Sequence, residues 1–146
     1  IAPNMPNKIN AKYLEWKIWF EKFFPFLNEG VIFVGHSLGG TFLAKYLSEN
    51  ILPKKIKTII LIAAPFDDEN SEESLNDFAL SESLKKITEQ VGKIYLFHSK
   101  DDPVVPFEQA DKYKNALPNS EIIAFTDRQH FNQEHFPELV ELLKKE

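Results

Sequence analysis

Residues 31–40, VIFVGHSLGG, constrain the fold more than any other stretch of this chain. Within them Gly35-His36-Ser37-Leu38-Gly39 matches the pattern G-x-S-x-G. The continuous apolar run at 31–35 reads as a strand buried on both faces. Residues 38–50 read as a helix that turns Leu38, Phe42, Leu43, Tyr46 and Leu47 inward. A chain that passes from strand to helix in so few residues must turn sharply at Ser37. The turn predicts a strained backbone at Ser37, with its hydroxyl clear of the sheet at the carboxyl end. Gly35 and Gly39 are expected to leave room for neighbouring backbone. The helix N-terminus favours negative charge, and the Leu38 N–H is the natural donor to an oxyanion.

The rest of the chain repeats the alternation. Residues 11–27 read as a helix with Tyr13, Trp16, Trp19, Phe20, Phe23 and Phe24 on one broad face. Leu14 and Ile18 lie opposite, among charges, and Pro25 ends or kinks the helix. Strands are predicted at 56–63, 93–98 and 121–126, and helices at 81–90, 106–116 and 137–145. The acidic stretch 67–81 reads as a polar loop or small lid. Strands alternating with helices predict a three-layer α/β/α sandwich with a mostly parallel sheet, as a single domain over 1–146.

A serine hydroxyl is a weak nucleophile without a base. The chain has four histidines: His36, His98, His130 and His135. His36 lies inside the turn and points away from its neighbour Ser37. His98 ends a strand and reads as a packed, hydrogen-bonded core residue. His130 follows the last strand, where a base would stand, and His135 at the entry to the final helix is the alternative. The acid that orients the imidazole is expected after the third strand, in His98-Ser-Lys-Asp101-Asp102-Pro103. Asp101 and Asp102 are adjacent, so spacing alone does not choose between them. The Pro103 ring restricts Asp102 to an extended conformation, which favours a fixed side-chain direction, whereas Asp101 suits a capping or turn role. The resulting order, Ser37, Asp102, His130, is that of α/β hydrolases.

Composition removes other classes. The net charge of −5 argues against nucleic acid, whose binding relies on clustered Lys and Arg. With no Cys there is no disulfide, thiolate zinc site or Cys nucleophile, which fits a cytoplasmic protein. No apolar run approaches the ~20 residues that span a bilayer. Neither a phosphate-binding loop nor a metal-ligand cluster stands out, so hydrolysis needing no metal and no cofactor is expected.

Residues 35–40 (GHSLGG), 99–107 (SKDDPVVPF) and 130–132 (HFN) resemble the small retinoblastoma-binding-protein-like serine hydrolases, also called YdeN-like esterases. The opening IAPNMP with its Trp-bearing helix, and the closing His130-Phe131 followed by 136–139 (FPEL), are similar too. The resemblance covers essentially the whole chain. It implies an α/β-hydrolase fold, a small-molecule ester or acyl substrate, and Ser37, Asp102 and His130 as the triad. One departure is Gln129, where the family usually has Gly before the base. A second is at the front. Family members begin with a strand ending in His-Gly and a helix, so about 35–40 residues are expected ahead of Ile1 to complete a parallel crossover. The loop after that strand normally supplies the second oxyanion N–H.

Three readings compete: an esterase-like hydrolase, a non-catalytic binding protein of the same fold, and an interaction module using the aromatic helix. The Ser–Asp–His set favours the first. Phe66, Phe107, Phe131 and the Val104-Val105 pair suit either an acyl pocket or the core. Without the preceding strand, residues 31–35 are expected to form an exposed sheet edge open to self-association or a protein partner. Expressed alone, the chain is then expected to be oligomeric or unstable and nearly inactive. Adding the upstream strand and loop should restore a monomer and raise activity about 10²–10³-fold.

Overall fold

The computed structural model describes residues 1–70 and 74–146. Four strands, β1 (Val31–His36), β2 (Ile56–Ile62), β3 (Val91–Ser99) and β4 (Glu121–Phe125), form one sheet in the order β1-β2-β3-β4. All neighbours pair in parallel. Parallel pairing requires crossovers, and helices supply them: α2 (Leu38–Glu49), α3 (Lys85–Gln90) and α4 (Glu108–Ala116). Helix α1 (Tyr13–Glu21) precedes the sheet and α5 (Pro137–Lys145) follows it. Among the described residues no helix is long and apolar enough to cross a membrane.

Side chains alternate across each strand, and the two faces are covered unequally. Phe33, Ile59, Leu61, Ile94 and Leu96 face a large cluster built from Trp16, Phe20, Phe42, Leu47, Ile87 and Tyr113 on α1 to α4. Ile60, Ile62 and Phe97 face a smaller one, closed by Phe131, Phe136 and by Leu139 and Leu142 of α5. The result is the expected α/β/α arrangement.

Beside β1 the second face is open. Its burial alternates, with Phe33 and Gly35 buried and Val34 and His36 exposed. Val34 is 43% exposed. Among the described residues β1 pairs only with β2, and its other edge has no strand partner. A cavity of about 430 Å³ runs along that edge, from His36 and Gly39 past Phe33 and Phe42 to Ile1 and Met5.

Three expectations need correction. The helix predicted over 11–27 stops at Glu21, and a short 3-10 turn at Phe24–Phe26 surrounds Pro25. Trp16 and Phe20 are buried, but Trp19 is 39% exposed and packs edge-on against Phe23 at 5.7 Å. The inward stripe is narrower than the run of aromatics suggested. The 67–81 stretch is not a free lid in its described part. Leu75 and Phe78 are buried in the main core, and the Phe78 ring meets Trp16 at 5.1 Å. At its start Asp67 is held by Lys112 at 2.7 Å and by Gln109 at 3.0 Å. Two apolar side chains among the acids were enough to anchor it. Residues 71–73 of that stretch lie outside the described residues.

Candidate active site

The turn between β1 and α2 carries Ser37 at φ 52° and ψ −127°. A non-glycine residue held there costs on the order of 1–3 kcal/mol and persists only where the surroundings over-determine it. Here the Ser37 N–H donates to the Ile62 carbonyl at 2.8 Å, and the Ser37 carbonyl accepts from Gly40 N–H at 2.9 Å. The glycines make the turn possible, though not the pair that was expected. A Cβ on Gly35 would stand 2.5 Å from the Gly39 oxygen, and one on Gly40 would stand 2.6 Å from the Ala64 Cβ. Gly39 has open space around its missing Cβ and lines the cavity instead. The tight approaches are therefore at 35 and 40. Leu38 is the first residue of α2, and the first N–H groups of a helix have no intrahelical acceptor.

At the carboxyl end of β3 the chain turns through 101–106, and at the end of β4 through 126–136. These turns bring Asp102 to His130. The His130 Nδ1 lies 2.9 Å and 3.2 Å from the two Asp102 carboxylate oxygens. The Asp102 side chain is fully buried. It also accepts the N–H groups of Val104 at 2.8 Å and Val105 at 2.9 Å. Burial pushes its carboxyl up, but the bonds from His130, Val105 and Val104 outweigh burial and hold it below the ordinary carboxylate range. An ionised carboxylate only accepts, so the Nδ1 of His130 carries a proton, and in the neutral ring Nε2 is then the nitrogen with the lone pair.

The other histidines divide clearly. His98 is 2% exposed and its Nε2–H donates to the Val105 carbonyl at 2.8 Å. Burial lowers its pKa, partly offset by that bond and by Asp102. It stays neutral and steadies the turn that carries Asp102. His135 is exposed and no hydrogen bond joins it to Asp102 among the described residues. His36 reaches the loop that carries His130: its Nε2–H donates to the His130 carbonyl at 2.7 Å. Nothing in the sequence linked those two residues.

Asp101 does not touch the imidazole. It accepts hydrogen bonds from the Ser99 hydroxyl and from the Gln129 N–H, the latter at 3.0 Å. Of the candidate acyl-pocket residues, Val105 and Phe131 are core, and Phe66 packs on Tyr113 at 5.0 Å. Val104 is 53% exposed. Sequence reasoning missed Gln109, which is buried and accepts the N–H groups of Phe66 at 2.7 Å and Asp67 at 3.0 Å. It ties α4 to the loop after β2.

The chain is similar to known proteins along nearly its whole length. It is 28% identical over 146 residues to the serine hydrolase RBBP9 of Rattus norvegicus, covering 99% of this chain and 75% of the relative. It is 30% identical over 105 residues to YdeN of Bacillus subtilis, covering 71% of this chain and 55% of that one. The crystal structure of the ydeN gene product from B. subtilis superimposes with a TM-score of 0.84 and 22% identity, over 98% of this chain and 79% of that chain. At that identity the superposition speaks for the fold. The family model described as serine hydrolase matches residues 5–144. That match takes in both the β1–α2 turn and the loops that carry the acid and the imidazole, and by it the chain belongs to the serine hydrolase family and is an enzyme of that class.

Proposed function

We propose that the chain hydrolyses carboxylic esters of small molecules, and that Ser37, His130 and Asp102 carry the reaction. The observation that supports this most is the buried, ionised Asp102 bonded to His130 Nδ1, which leaves Nε2 free to act as a base. In this reading the Ser37 Oγ attacks the ester carbonyl carbon while His130 Nε2 takes its proton. The carbonyl oxygen becomes an oxyanion, and the Leu38 N–H donates to it. The carbon–oxygen bond then breaks and His130 returns the proton to the departing alcohol. Water, deprotonated by His130, cleaves the acyl-serine and releases the acid. No metal or cofactor enters these steps. In apo structures the contact between nucleophile and base is often loose and tightens with substrate.

The test is turnover of short-chain 4-nitrophenyl esters by the parent, His130→Ala and His135→Ala, each joined to the upstream strand and loop that the resemblance implies, so that the second oxyanion N–H is supplied. The His130 variant is expected to lose nearly all activity, by at least the 10²–10⁴ that a general base contributes. The His135 variant should stay near the parent, because that side chain is exposed. Equal losses, or the larger loss at 135, would overturn the assignment of the base. A parent that binds such esters without turning them over would favour a binding protein of the same fold.

The same reading treats residues 1–146 as one domain and, from the absence of Cys, as cytoplasmic. It assigns no nucleic-acid or membrane partner. It does assign self-association through β1. That edge presents unpaired N–H and C=O groups, and its sequence VIFVGH contains no Lys, Glu or Pro to discourage pairing. A second copy of the chain is the occupant that needs nothing else present. Light scattering on the purified chain is expected to give a mass above the 16.9 kDa of one chain, rising with concentration. Val34→Lys should shift the population toward that single-chain mass. A concentration-independent monomer would contradict the reading.

A further inference from the structure

The loop that carries His130 is held in a conformation its sequence does not favour. Residues 128–131 form a turn closed by the Phe131 N–H donating to the Arg128 carbonyl at 2.9 Å. Gln129, its first central residue, has φ 48°, and His130 is not in the positive-φ region. Positive φ at the first central position alone belongs to the type II′ class, which Gly dominates. Phe131 follows at φ 56°. A chain with Gln at 129 therefore needs something outside the turn to hold it.

Three bonds from the end of β3 do so. The buried Ser99 hydroxyl accepts the Arg128 N–H at 3.1 Å and donates to Asp101. The same Asp101 oxygen accepts the Gln129 N–H at 3.0 Å. The Lys100 N–H donates to the Phe125 carbonyl at 2.8 Å, tying the two strand ends together just before the turn. The two successive N–H groups leading into the imidazole thus end on one hydroxyl and one carboxylate, while His36 holds the His130 carbonyl from the β1 side.

We propose that Asp101, acting with Ser99, is a positioning residue: it holds Gln129 in the left-handed region and so aims His130, doing with a side chain what Gly would do by conformational freedom. The proposal deepens the hydrolase reading and rests on His130 being the base. It separates the adjacent acids by task. Asp102 bonds the imidazole and sets its tautomer, while Asp101 bonds the backbone one residue earlier and sets where the ring stands. A clamp needs an acceptor at that point and does not need charge, so Asn at 101 should serve and Ala should not.

The test compares Asp101→Ala, Asp101→Asn, Gln129→Gly and the double variant Asp101→Ala/Gln129→Gly. Two readouts are followed on each: amide hydrogen exchange at Arg128 and Gln129, and the rate at which a fluorophosphonate modifies Ser37. Asp101→Ala is expected to speed exchange at Gln129 about tenfold, the scale of one lost hydrogen bond to a charged acceptor. It should slow labelling by up to about 10²-fold, the cost of a small misplacement of a reacting group. Asp101→Asn should restore both to within about threefold, since its amide oxygen accepts the same bonds. In the Gln129→Gly background the Ala substitution should matter less to labelling than it does in the parent. Unchanged exchange and labelling in Asp101→Ala would overturn the proposal, as would an Asn variant as impaired as the Ala variant. If Asp101→Ala does not fold, the double variant decides: folding and labelling recovered by Gly at 129 support the clamp, and no recovery overturns it. A parent that never labels at Ser37 would refute the hydrolase reading itself, and the exchange readout would still judge the clamp.

Discussion

Ser37→Ala should reduce ester hydrolysis to the level of the buffer while the protein keeps its fold. The expected loss is large because the hydroxyl is the atom proposed to form the acyl bond. In a well-studied serine protease, removing the nucleophile alone costs about 2 × 10⁶ in kcat, nearly as much as removing the whole triad. The fold should survive for a local reason. The main-chain bonds of the turn, Ser37 N–H to the Ile62 carbonyl and Gly40 N–H to the Ser37 carbonyl, do not use the side chain. Alanine meets the same backbone strain at φ 52° that serine already does, so little change in thermal stability is expected. A variant that keeps more than a trace of activity with an unchanged melting curve would remove Ser37 from the reaction.

Asp102→Asn is the second large effect. The carboxylate accepts from His130 Nδ1 and from two backbone N–H groups. Asn can keep those backbone bonds through its oxygen. Its NH₂ then faces Nδ1, which must become an acceptor, so the ring proton moves to Nε2, where the base is needed. The same exchange in a serine protease lowers kcat about 10⁴-fold while leaving the geometry intact. A comparable loss is expected here, read from steady-state ester turnover at fixed pH. Asp101→Asn should cost far less, because Asp101 never meets the ring. Equal losses at the two positions would break the assignment of the acid.

The parts of this site that were legible in the sequence are local in the chain. Strand, turn and helix around Ser37 are contiguous, so the apolar run and the glycines announced them, and the structure places β1 and α2 within a residue of the prediction. Asp102 stood out from Asp101 because Pro103 follows it, and in the structure the Asp102 carboxylate lies 2.9 Å from His130 Nδ1. What was hidden depends on distant partners. Gly40 rather than Gly39 is the crowded position because Ala64, after β2, packs against it. Trp19 lies outside because α1 offers the core a narrow stripe, set by where α2 and Phe78 stand. The left-handed conformation of Gln129 was masked by a residue type that rarely adopts it. Its support comes from Ser99 and Asp101, about thirty residues earlier, as the sequence separations of those hydrogen bonds record.

The account stands most directly on the covalent bond it assigns to Ser37. Incubating the chain with a fluorophosphonate and mapping the adduct by peptide mass spectrometry reads that bond without needing the physiological substrate. The account predicts a single adduct on the peptide carrying Ser37, absent in Ser37→Ala and slowed strongly in His130→Ala. An adduct on another serine, or equal labelling of the parent and Ser37→Ala, would contradict it.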